Sequence, residues 1–238
     1  MSFDHPITKD NLDLYLKELA KEFRKRTDKS IPAEIILIGG ASVVINYGFR
    51  EMTYDMDAII NAASSMKDAI NTVGDKYGLP YGWLNTDFMK TKSYTPKIAQ
   101  YSEYYKTYSN MVTFRTVTGK YLVAMKLMAG RQYKNDLSDV IGILLEQQRS
   151  GAPLSIEMIK SACEALYGSY ESIPELSRLF IENAISSDDF EELYNSVRQM
   201  ETENKDVLVN FQDHYPEVLK PDNVDAILEA IKNKQSKK

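Results

Sequence analysis

The chain has 238 residues, 27.2 kDa, 43% apolar and 26% charged side chains and a net charge of −5. That balance fits one large folded domain or two modest ones and excludes collagen-like, coiled-coil and wholly disordered architectures. The longest apolar runs, such as Ile35 to Ile38 and Ala58 to Ile60, fall far short of the roughly 20 residues of a membrane helix. One cysteine, Cys163, excludes an internal disulfide, and two histidines exclude most zinc clusters. With no signal-like start, a reduced, cytoplasmic protein without membrane contact is expected.

Leu12, Tyr15, Leu16, Leu19 and Phe23 recur at helical spacing and predict a helix over 9–28. Glu34 to Ile38 is a short β-branched run that suits a buried strand, and Gly39-Gly40 follows it at once. A helix is expected over Ala41 to Tyr47, a turn at Gly48 to Arg50, and an alternating strand over Tyr54 to Ile60. Ser64-Ser65 starts a helix that runs to about Lys76 and stops before Gly78-Leu79-Pro80. Tyr81 to Thr95 is turn-rich, and the tyrosine-rich stretch to Tyr108 reads as partly helical. Met111 to Val117 is a strand, with helices over 119–129 and 135–148 after it.

Ser150-Gly151-Ala152-Pro153 stops that last helix and sets the expected boundary. Beyond it, helices are read over Ser155 to Tyr167, Pro174 to Ile185, Ser187 to Glu203 and Asp222 to Lys234, with a fraying Lys-rich end. The expected organisation is thus an α/β domain over 1–150 and an acidic helical region over 151–238. Charge divides the same way: residues 1–150 hold 20 Lys+Arg against 17 Asp+Glu, and residues 151–238 hold 9 against 17. The sharpest basic excess, nine against two, lies between Asn85 and Asn135. It suits either a phosphate-bearing partner or a solvated face.

The chemistry concentrates in two strings. In the first, Gly39-Gly40 stands between a strand and a helix, where it serves either as a plain tight turn or as a phosphate cradle. In the cradle, backbone comes close to a ligand and helix-start N–H groups aim at an anion. Asp55 and Asp57 lie two apart on a predicted strand, so both carboxylates leave one face about 7 Å apart. Like charges so placed repel unless a cation lies between them. Hard oxygen ligands of this kind suit Mg²⁺ (or Mn²⁺) with positions left for nucleotide phosphates. A solvent-exposed edge is the alternative, weakened because Ala58-Ile59-Ile60 continues the strand with core residues.

Gly39-Gly40 … Arg50-x-x-Thr53-x-Asp55-x-Asp57 resembles the signature of the minimal nucleotidyltransferase superfamily related to DNA polymerase β. Tyr121-Leu122-x-Ala124-Met125-Lys126-Leu127-x-Ala129-Gly130-Arg131-x-x-Lys134-x-Asp136-x-x-Asp139 resembles the second signature of one branch. That branch holds the toxin halves of abortive-infection toxin–antitoxin systems and related bacterial proteins of unassigned function. The resemblance spans about residues 34–146 and implies a nucleotidyltransferase-like mixed sheet flanked by helices. It implies further that Gly39, Gly40 and Ser42 cradle an NTP, that Asp55 and Asp57 hold the metal, and that Arg50 and Thr53 support the loop. Lys126 would reach a phosphate, unless its amine is instead paired to Asp136 or Asp139. Asp136 and Asp139 would brace Lys126 and Arg131, in a catalytic or a supporting role.

One departure matters. Many members carry a third carboxylate on a later strand, but Met111 to Val117 has none, and Asp87 is the nearest substitute. Asp87 would either approach the metal pair or cap a helix start. Tyr94, Tyr101, Tyr104, Tyr105 and Tyr108 stand among Lys92, Lys97 and Lys106, as a stacking surface for RNA or as packing over the core. The expected activity is Mg²⁺-dependent transfer of a nucleoside monophosphate from an NTP to a hydroxyl of RNA, protein or a small molecule. The alternative is a catalytically weak nucleotide binder that docks an antitoxin-like protein.

Overall fold

The computed structural model describes residues 6–220 and 223–235, so the last lysines of the expected fraying end lie outside it. The chain forms two compact units. One comprises the residues up to Met125 with Glu157–Ser172, and the other Lys126–Ile156 with the residues from Ile173 onward.

The first unit begins with β1 (Ile7–Thr8) and α1 (Lys9–Arg26). β2 (Ala33–Leu37), α2 (Gly39–Asn46), β3 (Met52–Thr53) and β4 (Met56–Asn61) follow, then α3 (Ser65–Tyr77) and β5 (Leu84–Asn85). β6 (Ser102–Tyr108) and β7 (Val112–Val117) complete a five-stranded sheet of order β5-β4-β2-β7-β6. The sheet is mixed: β2 runs antiparallel to β4 and parallel to β7. Alternation decides its faces. Ala33, Ile35, Leu37, Val112 and Phe114 share a buried core with Leu12, Leu16, Leu19 and Phe23 of α1 and with Ile70 and Val73 of α3. Each of the Val, Leu, Ile and Phe side chains so withdrawn from water contributes about 1.5–3 kcal/mol.

In the first unit two segments stand apart from the sequence expectation. Of the stretch to Tyr108 expected to be partly helical, Pro96–Tyr101 forms a short 3-10 helix and residues 102–108 are a strand. The cause is a hairpin: Ser109 and Asn110 both take positive φ, the two-residue geometry that matches strand twist. Met52–Thr53 is a separate strand that pairs with Ile7–Thr8, so the strand carrying Asp57 starts at Met56 and leaves Asp55 just ahead of it.

The helices run α4 (Gly119–Ala129), α5 (Asp136–Arg149), α6 (Ile156–Tyr167), α7 (Glu175–Ala184), α8 (Phe190–His214) and α9 (Val224–Gln235). α8 continues eleven residues past the expected end, because no glycine or proline interrupts it before Pro216. In the second unit α5 packs on α8, and α9 packs on α8 through Leu208, Val224 and Leu228. The result is the expected α/β class with a C-terminal helical region. No described helix is long and apolar enough to cross a membrane.

Candidate active site

Register alone brings the first string together. Leu37 pairs with Ala58, and the ladder continues as the Ile38 N–H donates to the Asp57 carbonyl at 3.0 Å. Gly39 therefore emerges from β2 beside Asp57. It has φ +59°, which L side chains rarely adopt, and a Cβ there would touch Asp57 Oδ2 at 3.5 Å. Gly40 answers to space instead of dihedral. A Cβ would lie 2.7 Å from Thr53 Oγ1 and 2.9 Å from Arg50 Nη2, so close that a neighbour would have to shift.

The loop that makes this approach is braced internally. The Thr53 hydroxyl, buried, donates to the Asp55 carbonyl at 3.0 Å, and Arg50 Nε donates to the Met52 carbonyl at 3.1 Å. Gly39, Gly40, Arg50, Thr53 and Asp57 thus surround the first turn of α2, whose N–H groups have no partner within the helix. Asp57 is half-buried and Asp55 exposed. Ser42 is fully buried. Its hydroxyl donates to the Leu37 carbonyl at 2.7 Å and accepts from Thr116 Oγ1 at 3.0 Å, which ties α2 to β2 and β7.

Asp87 stands at the start of a 3-10 turn, Asp87–Lys90. Asn85, the register partner of Asp57, accepts the Asp87 N–H through Oδ1 at 2.8 Å. The Asp87 carboxylate, 73% exposed, pairs with Lys90 at 2.7 Å. Of the tyrosines, Tyr105 donates to Asp13, which Lys106 also contacts. Tyr108 packs on Phe114, Tyr94 on Phe88, and Tyr101 stacks on Tyr121 at 4.1 Å. Tyr104 stays exposed.

The second string forms its own cluster, in the second unit. Lys126, 7% exposed, lies 3.0 Å from Asp136 Oδ1 and 2.8 Å from Asp139 Oδ2. Arg131 forks onto Asp136, with Nε at 2.7 Å from Oδ2 and Nη2 at 3.2 Å from Oδ1. Both carboxylates that the sequence offers as partners thus meet the Lys126 amine. Burial alone would raise the pKa of Asp136, but the charges of Lys126 and Arg131 outweigh it and hold the carboxyl well below the usual range.

Sequence reasoning missed two polar residues here. Glu201 of α8 accepts the Leu137 N–H at 2.8 Å, and Asn204 donates to the Gln132 carbonyl at 2.7 Å. Burial pushes the Glu201 carboxyl up to about 7; hydrogen bonds from Ser138 and Leu137 oppose the rise, and the charge of Asp139 adds to it. A signal was there to read, since both occupy positions of the stripe Val197, Glu201, Asn204, Leu208 that faces inward.

A mixed sheet whose glycine pair meets an aspartate strand, followed by a lysine–aspartate helix pair, defines a nucleotidyltransferase-like protein. The family described as a nucleotidyltransferase of unknown function (DUF6036) matches residues 14–175, and the chain belongs to it. No curated protein and no solved structure matches the chain.

Proposed function

We propose that the chain is a divalent-metal-dependent nucleotidyltransferase that moves a nucleoside monophosphate from an NTP to a hydroxyl. The observation that carries this reading is the close approach of Asp57, Thr53 and Arg50 to Gly39-Gly40 at the start of α2. The α2 N–H groups and the Arg50 guanidinium would bind the triphosphate, since a helix start and a guanidinium both favour anions. Asp55 and Asp57 would hold Mg²⁺ or Mn²⁺. Their hard oxygens suit either ion, which when bound supplies charge neutralisation on the phosphates. The acceptor oxygen bonds to the α-phosphorus, the bond from that phosphorus to the bridging oxygen breaks, and pyrophosphate leaves with the electron pair. The acceptor proton passes to water or a nearby carboxylate. The family resemblance gives Lys126, Arg131 and Asp136 to the same reaction.

The Asp87–Lys90 pair favours a second reading, a nucleotide binder that docks a protein partner, because it neutralises the nearest third carboxylate. Turnover separates the two. Incubation with each α-labelled NTP, Mg²⁺ and total RNA or lysate should put label on an acceptor, and Asp57→Asn should abolish it. NTP binding without label transfer in the unaltered chain would establish the binder instead.

A further inference from the structure

The first turn of α5 carries Asp136 and Asp139, so whatever fixes that turn fixes Lys126 and Arg131. A helix start leaves backbone N–H groups without partners inside the helix. Asn135, the residue before α5, makes no side-chain capping bond. The partner comes instead from α8. Glu201, 2% exposed, accepts the Leu137 N–H at 2.8 Å and the Ser138 N–H at 3.4 Å. Three residues on, Asn204, 3% exposed, donates Nδ2 to the Gln132 carbonyl at 2.7 Å. Residues three apart share one helix face. One face of α8 therefore grips the chain on both sides of the segment from Tyr133 to Asp136.

We propose that Glu201 and Asn204 are positioning residues: through α5 and the loop before it, they align the Lys126–Asp136–Asp139 cluster with Arg131 for the reaction. Both oxygens of Asp136 are already engaged, Oδ1 by Lys126 and Arg131 and Oδ2 by Arg131. A shift of the α5 turn is thus passed to two cations at once. Glu201 lies 64 residues beyond Leu137, and both clamp residues lie outside the family match over 14–175. The helical region past the shared part completes the charged cluster instead of standing apart from it. The kinetic half of the proposal rests on the nucleotidyltransferase reading; the clamp itself does not.

The test uses the full chain and the variants Glu201→Gln, Glu201→Leu and Asn204→Ala. One readout is independent of activity: the acylation rate of the Lys126 amine under native conditions, read by peptide mass spectrometry against exposed Lys97. The other is kcat and KM for NTP in label transfer. A misplacement near 1 Å costs up to about 100-fold in rate. Glu201→Leu and Asn204→Ala should accordingly lower kcat by about tenfold or more, with KM nearly unchanged. Both should speed Lys126 acylation by about tenfold, because a buried, paired ammonium reacts slowly. Glu201→Gln keeps an acceptor for the Leu137 N–H and should stay within about twofold of the unaltered chain in both readouts. Should Glu201→Leu fail to fold, Asn204→Ala and Glu201→Gln decide. Unchanged kcat and unchanged Lys126 acylation in Asn204→Ala would overturn the proposal. Absence of any label transfer by the unaltered chain would overturn the nucleotidyltransferase reading and the kinetic half, and the acylation rates would then decide the clamp alone.

Discussion

Gly40→Ala tests the close approach at its tightest point. The new Cβ would meet Thr53 Oγ1 at 2.7 Å and Arg50 Nη2 at 2.9 Å. Arg50 can swing away, since its guanidinium ends a flexible stem. Thr53 cannot, because it is buried and its hydroxyl is bonded to the Asp55 carbonyl. Overpacking of this kind costs about 1–3 kcal/mol. Against it, alanine gains up to about 1 kcal/mol over glycine in a helix. The net expectation is a loss of about 1–2 kcal/mol, or roughly 2–4 °C in Tm per kcal/mol for a chain of this size. The informative measurement is the double-mutant cycle with Thr53→Ala. That change removes the obstructing oxygen at a cost of about 1 kcal/mol for one hydrogen bond. In the Thr53→Ala background Gly40→Ala should become neutral or stabilising, a coupling of about 1–2 kcal/mol. Thermal or urea unfolding of the four proteins gives that number directly. Strict additivity would mean that Thr53 does not press on the glycine, and the geometry argued for the cradle would fall with it.

Glu201 keeps its proton up to a pH of about 7 when folded, against an ordinary value of 4.5. Between those values the folded chain holds a proton that the unfolded chain has released. Stability should therefore fall as pH rises through that window, by about 3 kcal/mol in all, and stay low above it. Urea midpoints across pH 4–8 should show this slope, and Glu201→Gln should remove its share. Lys126→Ala leaves two buried carboxylates without their shared cation and should cost about 3–5 kcal/mol in unfolding experiments, with Lys126→Arg much milder. NTP binding by the folded fraction of Lys126→Ala then reads its part in the reaction apart from its part in the fold. Asp87→Asn breaks an exposed pair and should change stability by less than about 1 kcal/mol. Full label transfer by that variant would leave the reaction with two metal carboxylates, and its loss would make Asp87 the third.

The features legible in the sequence are those that repeat or stand next to each other. The helical spacing of Leu12, Leu16, Leu19 and Phe23 and the β-branched run at Ile35 and Ile36 each appear where expected, in α1 and β2. The order strand, Gly39-Gly40, helix is legible because neighbouring residues set it; the expected two-residue period of Asp55 and Asp57 is not what the fold shows, since β4 starts at Met56 and Asp55 lies ahead of it. The role of β3 is not legible: two residues carry no period, and their pairing with Ile7–Thr8 depends on partners 44 and 46 residues away. The β6 hairpin is hidden from local pattern for a related reason. Ser109-Asn110 has no glycine, yet both residues adopt the left-handed turn once β7 is there to pair with.

The same distinction explains why the clamp on α5 escaped the sequence. An acid near the start of a helix is easy to propose as a cap when it precedes the helix by a residue or two. Here the acid comes from another helix, and only packing of α8 on α5 brings it to the Leu137 N–H. Its mark in the sequence is a violation of pattern. In the inward stripe Val197, Glu201, Asn204, Leu208, a carboxyl and an amide stand where apolar residues would stabilise more simply. Buried polar groups are tolerated when their bonds are made, and an unmade bond costs about 1–3 kcal/mol. Two such residues in one stripe, both bonded to the segment that carries Arg131 and Asp136, therefore specify a position for that segment more than they add stability. An apolar stripe could slide along α5; this one has a single register in which Glu201 and Asn204 both find their partners.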